Sequence, residues 1–251
     1  MIVTFNAFHL GDNLVHLHFM RACAKAYPSK EFAHYANPQH TPQLQPLVSD
    51  ISNLKLLDTC PENAINAWRG ADDFWYLHSE RNDFTRFHCD WFAHLARKMG
   101  LDNPVCEAEE MQFDYPALAP APGTGHSEHS VFDYLLINSI PHSGQLRSFN
   151  TQAFTLMAKQ LVDRGAKVIT TFPTGVCDST HDGSNGLSVT AIGRLSTAAR
   201  TIIGCVTGPS WPCMNIWNRG KRFIWMLDNE RVQIMPDTKH VRTCEEALSL
   251  L

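Results

Sequence analysis

Apolar residues along the first half of the chain follow two alternating periods. The apolar and aromatic run over residues 2–8 predicts a strand, and beyond the Gly11-Asp12 turn apolar residues recur at helical spacing until Pro28. The same patterns predict further strands at 31–36, 53–57 and 74–77, and helices around 62–69 and 84–99. Strands that alternate with helices of this length favour right-handed βαβ crossovers, so we predict a mostly parallel, Rossmann-like sheet.

A change of composition separates this half from the next. Residues 116–125 read Pro-Ala-Leu-Ala-Pro-Ala-Pro-Gly-Thr-Gly, which suits neither a helix nor a strand, so we predict a linker at 116–130. Beyond it the pattern starts again, with strands predicted at 134–138, 167–171, 202–206, 223–227 and 231–234, and helices around 151–164 and 190–199. The chain is therefore predicted to contain two Rossmann-like α/β domains, 1–115 and 131–251.

Composition and charge exclude several classes of protein. Of the 251 residues, 44% are hydrophobic and 18% are charged, which is typical of a globular protein rather than a disordered one. The formal net charge of -4 gives no general attraction to nucleic acid or anionic lipid. The N-terminus lacks the features of a signal peptide, and no apolar run approaches the roughly 18 residues needed to span a bilayer. We therefore expect a cytoplasmic protein with no nucleic-acid partner.

The cysteine and histidine positions do not predict a metal site. The eight cysteines are scattered without Cys-x-x-Cys spacing, so they are interpreted as buried small residues. His16 and His18, with His9 upstream, invite a metal interpretation. On a helix, however, positions i and i+2 point about 200° apart, so these two rings could not share one ion. Structural histidines are the preferred interpretation, and no metal is expected.

The first candidate site is the turn Leu10-Gly11-Asp12-Asn13. Ligands of open parallel sheets collect at the carboxyl ends of the strands, and this turn follows the first strand. Gly11 permits a tight or left-handed backbone, and Asp12 is predicted to open the helix. An aspartate there is a good N-cap, and it is also a candidate for catalysis; the residues alone leave both roles open.

The second candidate site is Thr207-Gly208-Pro209-Ser210, which follows the strand ending at Val206. We expect exposed amides of its glycine and serine, ahead of a short helix, to suit a diphosphate. Neither Gly-x-Gly-x-x-Gly nor the phosphate-loop lysine pattern is present in the sequence, which disfavours nicotinamide-binding and phosphate-loop proteins.

The third candidate site is the turn 139–147 after the first strand of the second half. Arg147 could contact a phosphate with a bidentate guanidinium, and Ser143 could add a hydroxyl. A solvated arginine is the alternative interpretation. The polar stretch 178–183 is predicted as a loop.

Taken in this order, the three turns resemble the lipopolysaccharide heptosyltransferase family, whose members have the GT-B fold. The resemblance covers most of the chain: a strand, a Gly-Asp turn and a helix that ends at Pro28, then the strand 135–138 and Arg147, then the segment 195–209. It implies an α/β protein of the GT-B type, with two Rossmann-like domains facing each other across a cleft, an acceptor-side domain first and a donor-side domain second.

The resemblance also implies roles for particular residues. Asp12 would be the general base, within an acceptor-side turn that includes Gly11 and Asn13. The donor diphosphate would contact Ser143, Arg147, Thr207, Gly208, Pro209 and Ser210. The implied reaction is metal-independent, inverting transfer of a sugar from a nucleotide-diphosphate sugar to a saccharide or glycolipid acceptor, with no cofactor. Such acceptors would allow peripheral association with the inner face of the membrane.

Two alternatives of other classes remain open on the sequence. A nucleotide-sugar epimerase could share the two-lobed fold and would act without an acceptor. A noncatalytic sugar-binding or nucleotide-binding relative is favoured by Val206, which stands where the family usually has an acidic residue. Donor hydrolysis measured by mass spectrometry would distinguish all three.

Overall fold

The computed structural model describes residues 1–74, 84–102, 112–120, 131–141, 146–180, 188–205, 207–228 and 238–251, with side chains of the helix at 84–98 described from Arg86 onward. These residues form two units, Met1–Ala117 and Leu118–Leu251. The predictions for 75–77, 121–130, Ser143, 181–183, Val206 and 231–234 lie outside the described residues.

The first unit is built on a four-stranded parallel sheet. Its strands are β1 (Ile2–Asn6), β2 (Phe32–Ala36), β3 (Leu54–Leu56) and β4 (Ile65–Asn66), in the spatial order β3-β2-β1-β4. β1 pairs in parallel with β2 on one side and with β4 on the other. The carboxyl ends of β1 and β4 are therefore neighbours at one edge of this sheet.

The helices of the first unit are α1 (Leu10–Ala26), α2 (Thr41–Leu44) and α3 (Phe84–Lys98). Most of α1 is buried, and its Leu14, Leu17 and Met20 are fully inaccessible. Phe19 of α1 stacks on Phe92 of α3, with ring centroids 4.8 Å apart and planes 12° from parallel. This contact buries the apolar side of α3 against α1, as the helical spacing of its aromatic residues predicts.

One segment of the first unit differs from its prediction. The stretch 62–69 is predicted as a helix but contains strand β4. β4 is extended because it pairs with β1, and the Ala67 amide N–H donates to the Phe5 carbonyl at 2.8 Å. Pairing with a neighbouring strand thus outweighs a weak local helix preference. Of the strand predicted at 74–77, only Phe74 is described, and it ends a short 3-10 helix, Ala71–Asp73.

The second unit is built on a six-stranded parallel sheet. Its strands are β5 (Phe132–Ile137), β6 (Val168–Thr170), β7 (Asp178–Ser179), β8 (Ala199–Cys205), β9 (Arg222–Met226) and β10 (Thr238–Val241), in the order β10-β9-β8-β5-β6-β7. β7 corrects the prediction of a loop at 178–183, because Asp178 and Ser179 pair with Ile169 and Thr170 of β6. Most residues of the central strands β5 and β8 are buried.

The helices of the second unit are α4 (Thr151–Asp163), α5 (Val189–Ser196) and α6 (Cys244–Ser249). The Asn150 side chain caps α4 by accepting from the amides of Gln152 and Ala153. α5 ends three residues before its predicted end, since Ala199 already belongs to β8. One apolar core joins the sheet to α4 and α6 through residues such as Leu136, Phe154, Ile203, Ile224 and Ala247.

The prediction of a parallel α/β fold is confirmed, because every strand pairing in both sheets is parallel among the described residues. The expectation that the two halves face each other across a cleft stays a prediction. Within the described ranges, none of the helices combines the length and the hydrophobicity needed to cross a bilayer.

Candidate functional site

The Gly11-Asp12 turn lies inside α1 rather than before it. The N-cap residue is His9, whose side chain makes no capping hydrogen bond, and Asp12 belongs to the first helical turn. Gly11 is buried within the helix and does not have a positive φ. The predicted N-cap role of Asp12 is therefore wrong, and the left-handed backbone that Gly11 would permit is not used. The helix begins earlier because the Asn13 amide N–H already bonds to the His9 carbonyl at 3.2 Å.

The Asp12 carboxylate forms an ion pair with Nη2 of Arg69. The pair is largely buried, with the two side chains 9% and 13% exposed. Nη1 of Arg69 lies 3.0 Å from Nε2 of His88 on α3. Because a guanidinium only donates, this imidazole nitrogen accepts and its ring proton sits on Nδ1. Arg69 follows β4, so the pair holds the carboxylate in one orientation at the edge where β1 and β4 end.

A chain of buried hydrogen bonds fixes the first turn of α1. The Asn13 amide donates to the His9 carbonyl at 3.0 Å, so its Oδ1 is the acceptor for Nε2 of His34 at 2.8 Å. Nδ1 of His34 must then accept from the Thr4 hydroxyl at 3.0 Å. Thr4 in turn accepts from Nε2 of His16 at 3.0 Å. This chain, whose side chains are all buried, ties α1 to β1 and β2.

Both imidazoles of this chain are neutral. Burial, reinforced by repulsion from His34, lowers the pKa of His16 well below its ordinary value. Burial also lowers the pKa of His34 to about 3, and an interaction with the Thr4 backbone opposes that shift only in part. Since each neutral ring carries one proton, the direction of every hydrogen bond is set. The preferred interpretation of His16 as a structural histidine agrees with this arrangement.

At the carboxyl edge of the second sheet, neutral polar groups join the ends of three strands. Oδ1 of Asn138, which follows β5, accepts from the Thr171 hydroxyl at 3.0 Å and from the Phe172 amide at 2.7 Å, just beyond β6. The Cys205 thiol at the end of β8 donates to the Ser139 carbonyl at 3.3 Å. Burial raises the pKa of Cys205 to about 12, so this thiol stays protonated. These strand ends are therefore joined by hydrogen bonds between neutral groups.

Arg147 lies on the exposed segment that leads into α4. Its backbone N–H and that of Ser148 donate to Oδ2 of Asp228 at 2.8 and 3.0 Å. Asp228 follows β9, so this carboxylate joins the loop after β5 to the loop after β9. Burial opposes its ionisation, but the two amides outweigh that effect and lower the pKa of Asp228. The backbone amides of Arg147 and Ser148 are thus already bonded to the Asp228 carboxylate. The side chain of Arg147 is exposed.

The turn after β8 leads into a 3-10 helix, Gly208–Cys213. Ser210 is fully buried, its hydroxyl donates to the Cys205 carbonyl at 2.7 Å, and its amide N–H donates to the Thr207 carbonyl at 3.1 Å. The expectation of an exposed Ser210 amide is therefore wrong, because the helix uses this donor internally. Gly208 and Pro209 are half-buried and carry the accessible part of the turn.

The structure brings the predicted residues into two groups. Asp12, Gly11 and Asn13 lie in the first turn of α1, while Arg147, Thr207, Gly208, Pro209 and Ser210 lie at the carboxyl edge of the second sheet. Sequence reasoning missed Arg69, His88 and Asp228. Of these, only Asp228 had a local signal, since an acidic residue directly after a predicted strand falls at the ligand-binding edge of a parallel sheet. Among the described residues, no three His, Cys, Asp or Glu side chains are arranged to hold a metal ion.

No protein-family model matches the sequence, and no curated protein matches it either. Solved structures share its fold. The E. coli heptosyltransferase WaaC with ADP superposes with a TM-score of 0.62 at 10% identity, over 99% of this chain and 96% of that chain. A family 9 glycosyltransferase from Veillonella parvula superposes with a TM-score of 0.53 at 10% identity, over 96% of this chain and 86% of that chain. The iron-containing dodecameric glycosyltransferase TibC of enterotoxigenic E. coli superposes with a TM-score of 0.56 at 13% identity. The match covers 94% of this chain and 61% of that chain.

At these sequence identities, the structural similarity shows the fold alone. The chain has the parallel α/β fold of heptosyltransferases and family 9 glycosyltransferases, which confirms this part of the expected fold.

Proposed function

We propose that the protein is a metal-independent, inverting glycosyltransferase that moves a sugar from a nucleotide-diphosphate sugar to a glycan or glycolipid acceptor. The observation that carries the proposal is the Asp12–Arg69 pair, an oriented carboxylate at a strand-end edge of a glycosyltransferase fold. Ligands of open parallel sheets bind at such edges. One of the solved structures of this fold contains ADP, which makes an ADP-sugar the first donor to test.

In the proposed reaction the acceptor hydroxyl attacks the anomeric carbon of the donor sugar. The new carbon–oxygen bond forms as the bond to the phosphate oxygen breaks, and Asp12 takes the hydroxyl proton. Arg69 acts as a positioning residue, because it holds the carboxylate through its own hydrogen bonds. General-base catalysis of this kind contributes about 10²- to 10⁴-fold to the rate.

The nucleoside diphosphate leaves with the electron pair and an added negative charge. We propose that the Arg147 guanidinium and the accessible Gly208-Pro209 part of the turn after β8 stabilise that charge, with Ser143 and Thr207 as further contacts. Loss of one such donor typically costs about 3 kcal/mol in the activation barrier. The GT-B cleft that brings donor and acceptor together is part of this proposal.

Release of nucleoside diphosphate from ADP-, UDP- and GDP-sugars, followed by mass spectrometry, tests the proposal. Asp12→Asn is expected to lower turnover about 10²- to 10⁴-fold and to leave ADP affinity, measured by calorimetry, unchanged. Asp163→Asn is the matched control, because Asp163 lies exposed on α4 and pairs only locally with Lys159. The proposal is wrong if the wild-type protein releases no diphosphate from any donor.

A second pair of variants tests the donor site separately. Arg147→Ala is expected to weaken nucleotide binding about 100-fold, in line with loss of one charged donor to the diphosphate. Arg164→Ala is its control, because Arg164 is exposed at the opposite end of α4. Equal nucleotide affinity in Arg147→Ala and the wild type would overturn the assignment of the diphosphate site.

A further inference from the structure

Two short segments of the first unit share one sequence pattern. Asn6-Ala7-Phe8 begins at the last residue of β1, and Asn66-Ala67-Trp68 begins at the last residue of β4. β1 and β4 are neighbours in the parallel sheet, with Phe5 paired to Asn66. The same Asn-Ala-aromatic triplet therefore occurs twice, side by side, at the carboxyl edge of this sheet.

The two triplets also have the same local structure. The Phe8 amide N–H donates to Oδ1 of Asn6 at 3.0 Å, and the Trp68 amide N–H donates to Oδ1 of Asn66 at 3.0 Å. Such an asparagine side chain turns the backbone two residues on. Because the backbone turns in the same way after both strands, the rings of Phe8 and Trp68 lie next to each other at this edge. They stack with centroids 4.1 Å apart and planes 8° from parallel.

Gly70 contributes to the stack because it leaves room for the Trp68 ring. The six-membered ring of Trp68 lies so close to Gly70 that a Cβ atom there would overlap the ring. A glycine at this position therefore lets the indole lie flat against the backbone. Phe8, which stacks on the indole, is 44% exposed. We name Phe8 and Trp68 together the aromatic platform.

The aromatic platform and the Asp12–Arg69 pair belong to the same strand-end edge, where β1 and β4 end. Arg69 directly follows Trp68 in the chain, and Asn13 directly follows Asp12. The Asn13 side-chain amide donates to the Phe8 carbonyl at 3.5 Å and to the His9 carbonyl at 3.0 Å. The aromatic platform thus shares its edge of the sheet with a carboxylate and a guanidinium, groups that accept and donate hydrogen bonds. The carboxylate and guanidinium charges cancel, so this pair offers no net attraction to a polyanion.

We propose that the aromatic platform binds one face of a pyranose ring, the ring of the acceptor sugar. A pyranose face presents several axial C–H bonds that stack on an aromatic ring, while its rim carries hydroxyls for a neighbouring carboxylate and guanidinium. A nucleotide base would also stack, but it would bring phosphate charges beside the Asp12 carboxylate. The assignment of this sugar as the acceptor rests on the proposed function, whereas sugar binding itself does not.

Saturation-transfer NMR with the methyl glycosides of glucose, galactose and mannose tests the binding site. The wild-type protein is expected to saturate the ring C–H protons of at least one glycoside, and Phe8→Ala to reduce that signal at least fivefold. Phe172→Ala is the matched control, because Phe172 is also 44% exposed but belongs to the second unit. Gly70→Ala should reduce the signal as well, since it displaces the indole without removing a ring.

Three outcomes would overturn the inference: no signal from any glycoside with the wild-type protein, an equal signal in Phe8→Ala, or a Phe8-dependent signal from AMP that the glycosides do not displace. Circular dichroism and thermal melting of each variant confirm that it is folded. Release of diphosphate from nucleotide sugars, measured on the same samples, separates this result from the proposed function. If the wild-type protein binds a glycoside but releases no diphosphate, only the transferase proposal is contradicted. If it releases diphosphate but binds no glycoside, only the aromatic platform is contradicted.

Discussion

The two units differ in the kind of polar group that they bury. In the first unit the buried polar side chains include ionisable ones, His16, His18, Arg21, His34 and His88, together with Thr4, Asn6 and Asn13. In the described part of the second unit they are neutral, such as Asn138, Ser139, Thr171, Ser210 and Asn215. Neutral groups need only a hydrogen-bond partner, whereas buried ionisable groups need a partner charge or must stay uncharged. The first unit should therefore respond far more strongly to acid and to loss of a single partner.

Arg21 is the buried charge on which this comparison depends most. Its two terminal nitrogens donate to the Asp50 carboxylate at 2.5 and 2.8 Å, and one of them also donates to the Leu47 carbonyl at 2.8 Å. The guanidinium lies 5.0 Å from the ring centre of Tyr115. Burial disfavours its charge, but the Asp50 carboxylate outweighs burial and raises the pKa of Arg21.

Arg21→Met should give the largest loss of stability, because it leaves the Asp50 carboxylate and the Leu47 carbonyl without their donor. Arg21 is buried, but the Asp50 side chain is 34% exposed and water can reach it, so we expect a loss of about 2–3 kcal/mol in the free energy of unfolding. Urea unfolding measures the change. Lys159→Met, which removes an exposed pair with Asp163 on α4, is the control and should cost no more than about 1 kcal/mol. Equal losses in the two variants would contradict the contrast between the units.

Acid should destabilise the first unit before the second. The pKa values of His16 and His34 are lowered in the folded chain, so the unfolded chain binds more protons once the pH falls below about 6.5. Their stabilising contribution is complete above that pH and is lost as the pH falls toward the folded pKa of His34, about 3. Each buried neutral histidine then lowers the free energy of unfolding by about 1.4 kcal/mol per pH unit.

Amide hydrogen exchange at pH 7.5 and pH 5, corrected for intrinsic rates, measures this acid effect. The amides of β1 and β2 are expected to lose protection at the lower pH, while those of β5 and β8 in the same molecule serve as the internal control. Parallel loss of protection in both sheets would show that the two histidines do not set the acid response.

Of the three predicted losses of stability, that of Asp228→Ala should be the smallest. It removes the acceptor of the Arg147 and Ser148 amides, but this carboxylate is only partly buried and water can replace it. We expect a loss of about 1 kcal/mol in the free energy of unfolding. Thermal melting measures it, and Asp163→Ala is the surface control. A loss above that of Arg21→Met would reverse the comparison.

Much of the fold could be predicted from the sequence. The strands at 2–8, 31–36 and 53–57 and the helix at 84–99 were recognisable because their apolar residues repeat at a clear period. β4 was not, because a two-residue strand has no period of its own and exists only through pairing with β1. The start of α1 was missed for a related reason: its N-cap residue, His9, makes no side-chain capping bond.

The candidate site was predictable only in part. Asp12 and Arg147 could be selected because each follows a predicted strand. The ion pair of Asp12 with Arg69 could not, since 57 residues separate them and only the parallel pairing of β1 with β4 brings them together. The internal use of the Ser210 amide was equally hidden, because it depends on the 3-10 helix that follows.

By itself, the sequence determined that strands and helices alternate and that polar turns follow the strands, because these features depend on the local spacing of apolar residues. Only the tertiary structure decided which turns became neighbours. The partner of Asp12, the two neutral buried histidines and the stacked rings of Phe8 and Trp68 all depend on strand register, which is a property of contacts between segments far apart in the chain.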